Sequence, residues 1–185
     1  MTTTVELIHP GYVRDDGHVG SSISVIRDGD VVVVADPGLV ASQSLILNPL
    51  KAAGIAPGDV NFVFLSHHHP DHTLNAGLFP EAWVIDFWAR YRGDLWLDHD
   101  GDGWHLSDHV ELWLTPGHTE EDATLVVRAD DGVYALTHLW WRPDRTPELD
   151  PYAPDQSVLD AQRARVLAVA DIVIPGHGEP FRVER

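Results

Sequence analysis

Twice along its length the chain follows one course: two β-branched runs around an Asp-Gly turn, a helical stretch, then a short apolar strand that stops at histidines. In the first pass the hairpin covers residues 21–36, "SSISVIRDGDVVVVAD", the helix 42–53, and the strand is "NFVFLS". In the second the hairpin is "ATLVVRADDGVYALTH", turning at Asp131-Gly132, followed by a helix over 155–170 and the strand of "DIVIPGHGEPF". Asp-Gly tolerates the backbone conformations that a tight hairpin turn requires. The continuously apolar second run of the first hairpin predicts a strand buried on both faces. Gly54 is placed to end the first helix, although Pro49 lies inside it. Asp155 is placed to cap the second, whose Val158, Leu159, Gln162, Val166 and Ala170 fall near one face. Further strands are expected at 83–88, "WVIDFW", and in "WHLSDHVELWL" before the Pro116-Gly117 turn. This order predicts an α/β chain, an αββα sandwich of two mixed β-sheets with helices on the outer faces. No Pro/Gly/Ser-rich linker separates the pseudo-repeated halves, about 1–110 and 111–185, so one domain over 1–185 is expected.

Composition narrows the chemistry. The chain has no cysteine, which excludes disulfides and thiolate ligands and leaves His, Asp and Glu as strong metal donors. Twelve basic residues against twenty-nine acidic ones give a net charge of −17, a field that repels polyanions and argues against a nucleic-acid partner. No apolar run approaches the ~18–20 residues that span a bilayer. The start, "MTTTVELIHPGYV", has neither the basic nor the apolar region of a signal peptide, so a cytoplasmic protein with no membrane partner is expected.

The first apolar strand opens into "FVFLSHHHPDHTLNAG", residues 62–77. Side chains alternate along a strand, so His67 and His69 point together and His68 points away. Pro70 bends the chain, and Asp71 and His72 reach the same region from a displaced origin. Two ligand pairs in proximity are what a binuclear metal site requires. His118 in "TPGHT" and His177 in "IPGHG" lie in loops directly after buried strands. There Gly117, Gly176 and Gly178 permit turns that aim an imidazole inward.

These residues carry a resemblance. "HHHPDH" fits the HxHxDH signature of the metallo-β-lactamase fold superfamily, "TPGHT" and "IPGHG" resemble its later metal motifs, and "VVVVADPG" resembles its first hairpin with a strand-end aspartate. The likeness covers nearly the whole chain, and "RARVLAVADIVIPGHGEPFRV" is especially similar to the subgroup called metallo-β-lactamase domain-containing protein 1. The resemblance implies that His67, His69 and His118 hold one metal, that Asp71, His72 and His177 hold a second, and that His68 is not a ligand. One position departs from it: where the family usually places a bridging aspartate, this chain has Thr137-His138 in "YALTHLWW". A neutral imidazole does not bridge two cations as a carboxylate does, and two divalent ions with Asp71 and one hydroxide leave about +2 in the core. Three outcomes are open: His138 completes one metal's shell, an anionic substrate offsets the charge, or only one metal binds tightly. His138 is expected to be a ligand.

The resemblance further implies a metal-dependent hydrolase that uses a zinc-bound hydroxide on a small ester, thioester, lactone or amide, with two Zn2+ per chain, or iron or manganese in its place. Asp71 would orient the nucleophile and carry its proton. The alternatives are a mononuclear iron dioxygenase of the persulfide type and a phosphodiesterase or ribonuclease as in the related subgroup; the charge weighs against the latter. Other features carry less. "DHDGDG" at 98–103 imitates half of an EF-hand loop, but the twelfth position is His109, so a surface turn is expected. His105 and His109 are taken as structural, and His9, His18 and His99 as surface or supporting groups. Asp36 is expected to orient a ligating histidine. Trp83 and Trp113 belong in the core, while one of Trp140 and Trp141 should line the pocket. Arg142, Arg145 and Arg163 could anchor an anionic substrate or simply form surface ion pairs.

Overall fold

The computed structural model describes residues 2–144 and 147–184, so Arg145 lies outside the described residues. The first half supplies β1 (Thr3–His9), β2 (Tyr12–Val13), β3 (Val19–Gly20), β4 (Ile23–Asp28), β5 (Val31–Ala35), α1 (Ser44–Ala52), β6 (Phe62–Phe64), α2 (Pro70–Thr73), β7 (Trp83–Ile85), β8 (Arg90–Arg92) and β9 (Leu95–Leu97). The second supplies β10 (Trp104–His105), β11 (Val110–Leu114), β12 (Ala123–Ala129), β13 (Gly132–Thr137), α3 (Gln156–Leu167), β14 (Ile172–Ile174) and β15 (Phe181–Arg182). One sheet runs β1-β4-β5-β6-β7-β8-β9, the other β10-β11-β12-β13-β14-β15, and β2 pairs with β3 in a separate ribbon. The chain passes from the first sheet to the second between Leu97 and Trp104.

Both sheets are mixed for the same reason. Each hairpin, β4–β5 and β12–β13, is antiparallel, and the helix that follows returns the chain so that β6 pairs parallel to β5 and β14 parallel to β13. A parallel neighbour needs such a crossover, which α1 and α3 provide. The inner faces of the two sheets meet in one cluster, where Ile26, Val33, Phe64 and Ile85 pack with Val110, Leu112, Leu125, Leu136 and Ile174. The outer face of the first sheet buries Val25, Val34 and Val63 against Ile46 and Leu50 of α1. That of the second buries Val126, Ala135 and Val173 against Leu159 and Val166 of α3. Strands covered on both faces read as continuous apolar runs, and each fully buried aliphatic side chain contributes roughly 1.5–3 kcal/mol. The layers are therefore helix, sheet, sheet, helix.

Local signals fix the ends of these elements. Gly29 takes φ +59° in the first hairpin turn, and Gly54 takes φ +72° where α1 stops. Asp155 caps α3 by accepting the Ser157 amide at 2.8 Å. Pro49 sits inside α1, which keeps its place because Ile46 and Leu50 are buried. No helix among the described residues is long and apolar enough to cross a membrane.

Candidate metal centre

All the residues singled out for metal chemistry lie beyond strand C-termini on one side of the sandwich. Asp36 follows β5, His67 to His72 follow β6, His118 follows β11, His138 follows β13 and His177 follows β14. Parallel pairing sets the ends of β5 and β6, and of β13 and β14, side by side, which is where ligands of α/β sheets gather. His69, with φ −63° and ψ 141°, is the last extended residue, and Pro70 opens the single turn of α2 that swings Asp71 and His72 round to meet His67. Two glycines make this possible by close approach. A Cβ on Gly38 would lie 1.5 Å from the Asp71 carbonyl oxygen, and one on Gly176 would lie 2.1 Å from His138 Cδ2.

Each imidazole is fastened at one nitrogen and directed at the cluster with the other. His72 Nδ1 lies 3.0 Å from Asp36 Oδ2, His118 Nδ1 2.8 Å from Asp150 Oδ2, and His177 Nδ1 2.9 Å from the Gly20 carbonyl. Ser66 Oγ lies 3.1 Å from His67 Nδ1, while the Ser66 amide donates to Asp36 Oδ1 at 2.7 Å. These partners select the tautomer and aim the free nitrogen, as supporting groups do around metals. Asp36 does so from φ +50°, a left-handed conformation that aspartate tolerates at modest cost. His68 faces the other way and meets Asp86 at 2.8 Å.

Three sets of donor atoms lie within 4.8 Å of one another: His67, His69 and His118; Asp71, His72 and His177; and His67, His72 and His138. His67 Nε2, His72 Nε2 and His138 Nδ1 are buried with no hydrogen-bond partner. Unpartnered buried acceptors are costly, and a divalent cation would satisfy them, so the donor set fits a metal. Burial, then the charges of His72 and His118, hold His67 well below the ordinary histidine pKa; burial, then His67 and His118, do the same for His138. Burial, then His72, pushes His177 down to about 4. Neutral imidazoles are the form that ligates metal. His72 goes up instead: burial acts downward, but the Asp36 carboxylate outweighs it.

The structure thus brings together His67, His69, Asp71, His72, His118, His138 and His177. His138 occupies the gap between the two sequence-derived triads, with its ring centroid 4.2 Å from His118, 4.4 Å from His67 and 4.8 Å from His72. Above them is a cavity of about 290 Å³ lined by Val13, Val19, His69, Asp71, His118, His138, Trp141, Tyr152 and His177. A second cavity of about 410 Å³ shares Val13 and Trp141 with it and adds Arg142, Pro147, Leu149 and Pro151. Trp141 is the tryptophan that lines the pocket; Trp140 is buried against Phe181. Arg163 braces the segment behind the pocket by donating to the carbonyls of Leu139 and Glu148, and Arg142 lies 3.4 Å from Asp144. His105 is exposed on β10, His109 pairs with Asp28 at 2.9 Å, and His18 meets Asp16 at 3.0 Å. His9 packs edge-on against Tyr12, and His99 stacks on Trp104 and meets the Asp86 carbonyl, behind His68. Asp102, in the imitated calcium loop, is held by Arg165 at 2.9 Å. Sequence reasoning missed Asp150 and Tyr152. Asp150 also accepts the Trp141 indole N–H at 2.8 Å, and Tyr152 stacks on Trp141 with ring centroids 5.6 Å apart.

Comparison with known proteins fits this geometry. Residues 16–183 match the family model of the metallo-beta-lactamase superfamily. "Metallo-beta-lactamase domain-containing protein 1" of Xenopus laevis is 32% identical over 97% of this chain and 82% of its own length. The N-acyl homoserine lactonase AttM of Rhizobium radiobacter is 28% identical over 92% of this chain and 79% of its own. Among solved structures, AidC, a dizinc quorum-quenching lactonase, superposes with a TM-score of 0.62 at 16% identity, covering 85% of this chain and 72% of that one, which shows the shared fold.

Proposed function

The chain belongs to the metallo-β-lactamase superfamily and is a metal-dependent hydrolase of that fold, and we propose that it opens a small ester, thioester, lactone or amide whose acyl part is apolar. The observation that carries this reading is the convergence of six imidazoles and one carboxylate, with buried nitrogens left unpartnered, at the foot of an open pocket. Two zinc ions suit the donor set, one on His67, His69 and His118 and one on Asp71, His72 and His177, with His138 between them. When bound, such ions supply Lewis-acid polarisation of a carbonyl and activation of water near neutral pH.

The protein's own groups do the rest. Asp71 lines the pocket, with Oδ2 3.4 Å from His72 Nε2 and 3.7 Å from His177 Nε2, and from there its carboxylate orients the attacking water and takes its proton. Trp141, Tyr152 and Val13 form an apolar wall that sheds water from the acyl group. The adjoining cavity, with Leu149, Pro147 and Pro151, extends that wall and suits an aliphatic arm. The lactonases among the relatives act on acyl lactones, and the same bond class fits here.

The test is a panel of acyl lactones, thioesters, esters, amides and phosphodiesters assayed with the zinc-loaded protein, the chelated protein and Asp71→Asn. Turnover of an acyl substrate that falls by at least ~10²-fold on chelation or substitution supports the reading. Turnover of phosphodiesters alone, or oxygen consumption with bound iron, overturns it.

A further inference from the structure

We propose that the chain contains a third, mononuclear metal position, formed by His67, His72 and His138, that takes the first divalent ion to bind and excludes the two-triad arrangement while it is filled. The proposal rests on reading this cluster as a metal centre and adds how it fills. His67 and His72 are both 0% exposed and His138 is 2% exposed. Their ligand atoms lie within 4.8 Å of one another, and this is the one set of the three in which every member is buried. It is also the set whose inward nitrogens, His67 Nε2, His72 Nε2 and His138 Nδ1, have no partner.

The other two sets are engaged already. His69 Nδ1 lies 3.3 Å from His118 Nε2, and Asp71 Oδ2 lies 3.4 Å from His72 Nε2 and 3.7 Å from His177 Nε2. An ion entering either set must replace contacts that exist, whereas one entering the buried set satisfies atoms that have none. Sharing enforces exclusion: His67 belongs also to the set with His69 and His118, and His72 also to the set with Asp71 and His177. Charge points the same way. One divalent ion among three neutral imidazoles, with Asp36 behind His72, leaves less uncompensated charge than two ions with Asp71 as the single carboxylate between them. A bridging aspartate would reverse that order; His138 in its place creates the single-ion position.

Consequently the first equivalent is bound out of the pocket's reach, because neither His67 nor His72 lines the cavity. A second equivalent is needed to draw His67 and His72 back toward the outer sets.

The test uses zinc itself. Protein stripped with a chelator is reloaded with one equivalent, crystallised, and measured at the zinc absorption edge. The expected anomalous peak lies ~2.0–2.1 Å from nitrogens of His67, His72 and His138; a peak bounded by His69 and His118, or by Asp71 and His177, overturns the proposal. In chelator competition, His138→Ala should weaken the first equivalent by more than the ~10–100-fold that loss of a merely supporting partner costs, and His69→Ala by less than ~10-fold. Loss of the first equivalent in His69→Ala overturns the proposal whether or not His138→Ala folds. Absence of acyl hydrolysis by fully loaded protein would count against the hydrolase reading and leave this metal position intact.

Discussion

Asp150 shows how much a single side chain behind a ligand governs. Its carboxylate is fully covered, and burial pushes its pKa up, yet hydrogen bonds from His118, the Tyr152 amide and the Trp141 indole outweigh burial and keep it below the usual carboxylate range. The ionised form fixes His118 with its proton on Nδ1 and Nε2 turned to the cluster. Asp150→Asn keeps the shape but weakens that hold, and the expected result is a ~10–100-fold loss of zinc affinity in chelator competition with an unchanged circular dichroism spectrum. Unaltered affinity would make Asp150 a purely structural residue. The same residue marks the limit of sequence reading. His67, His69, Asp71 and His72 are legible because their spacing alone decides which face they share, and His118, His138 and His177 because each follows an apolar strand. Asp36 is legible as a strand-end carboxylate. Asp150 meets His118 across 32 residues from a loop without periodicity, so only tertiary structure reveals it.

At the scale of elements, legibility follows length and local turn chemistry. The hairpins β4–β5 and β12–β13 and the helices α1 and α3 stand out because Asp-Gly turns, an N-cap and apolar faces agree with one another. β8 and β9, three residues each, and the two-residue β2, β3, β10 and β15 carry no such pattern and exist because neighbouring strands pair with them. Asp28, at the end of β4, ties several of these pieces together. Its Oδ1 accepts the Thr3 hydroxyl at 2.7 Å and lies 2.9 Å from His109 Nδ1, and its Oδ2 accepts the His109 amide at 3.0 Å, so the carboxylate joins β1 and β4 to the segment entering β11. Burial raises its pKa, but hydrogen bonds from Ser107, Thr3 and His109 prevail and lower it from 3.8 to about 2. A carboxylate depressed in the folded state stabilises it fully above the unfolded value and ceases to do so as pH falls through the folded one. Asp28→Asn should therefore cost about 2 kcal/mol in urea unfolding at pH 7, with the gap to wild type narrowing below pH ~4 and closing near pH ~2. A gap independent of pH would assign the loss to packing instead.

Over the whole molecule the acidic surface decides what reaches the pocket. Twenty-nine carboxylates against twelve basic side chains give −17, a charge far too large for the exposed Arg142 near the apolar annex to reverse. The field opposes the approach of any anion, and it does so over a distance set by salt, about 30 Å at 0.01 M and about 8 Å at 0.15 M. A neutral acyl lactone and an anionic ester of equal acyl length meet the same apolar wall of Val13, Trp141 and Tyr152, so their difference isolates the field. Raising ionic strength from about 0.01 M to about 0.15 M should raise kcat/KM for the anionic substrate by roughly 2- to 10-fold and leave the neutral one within experimental scatter. RNA, which would need a cationic track to neutralise its phosphates, should remain intact at both salt concentrations. A fall in kcat/KM for the anionic substrate with added salt would mean that a local cationic site near the pocket attracts it, and that the long-range field does not govern entry.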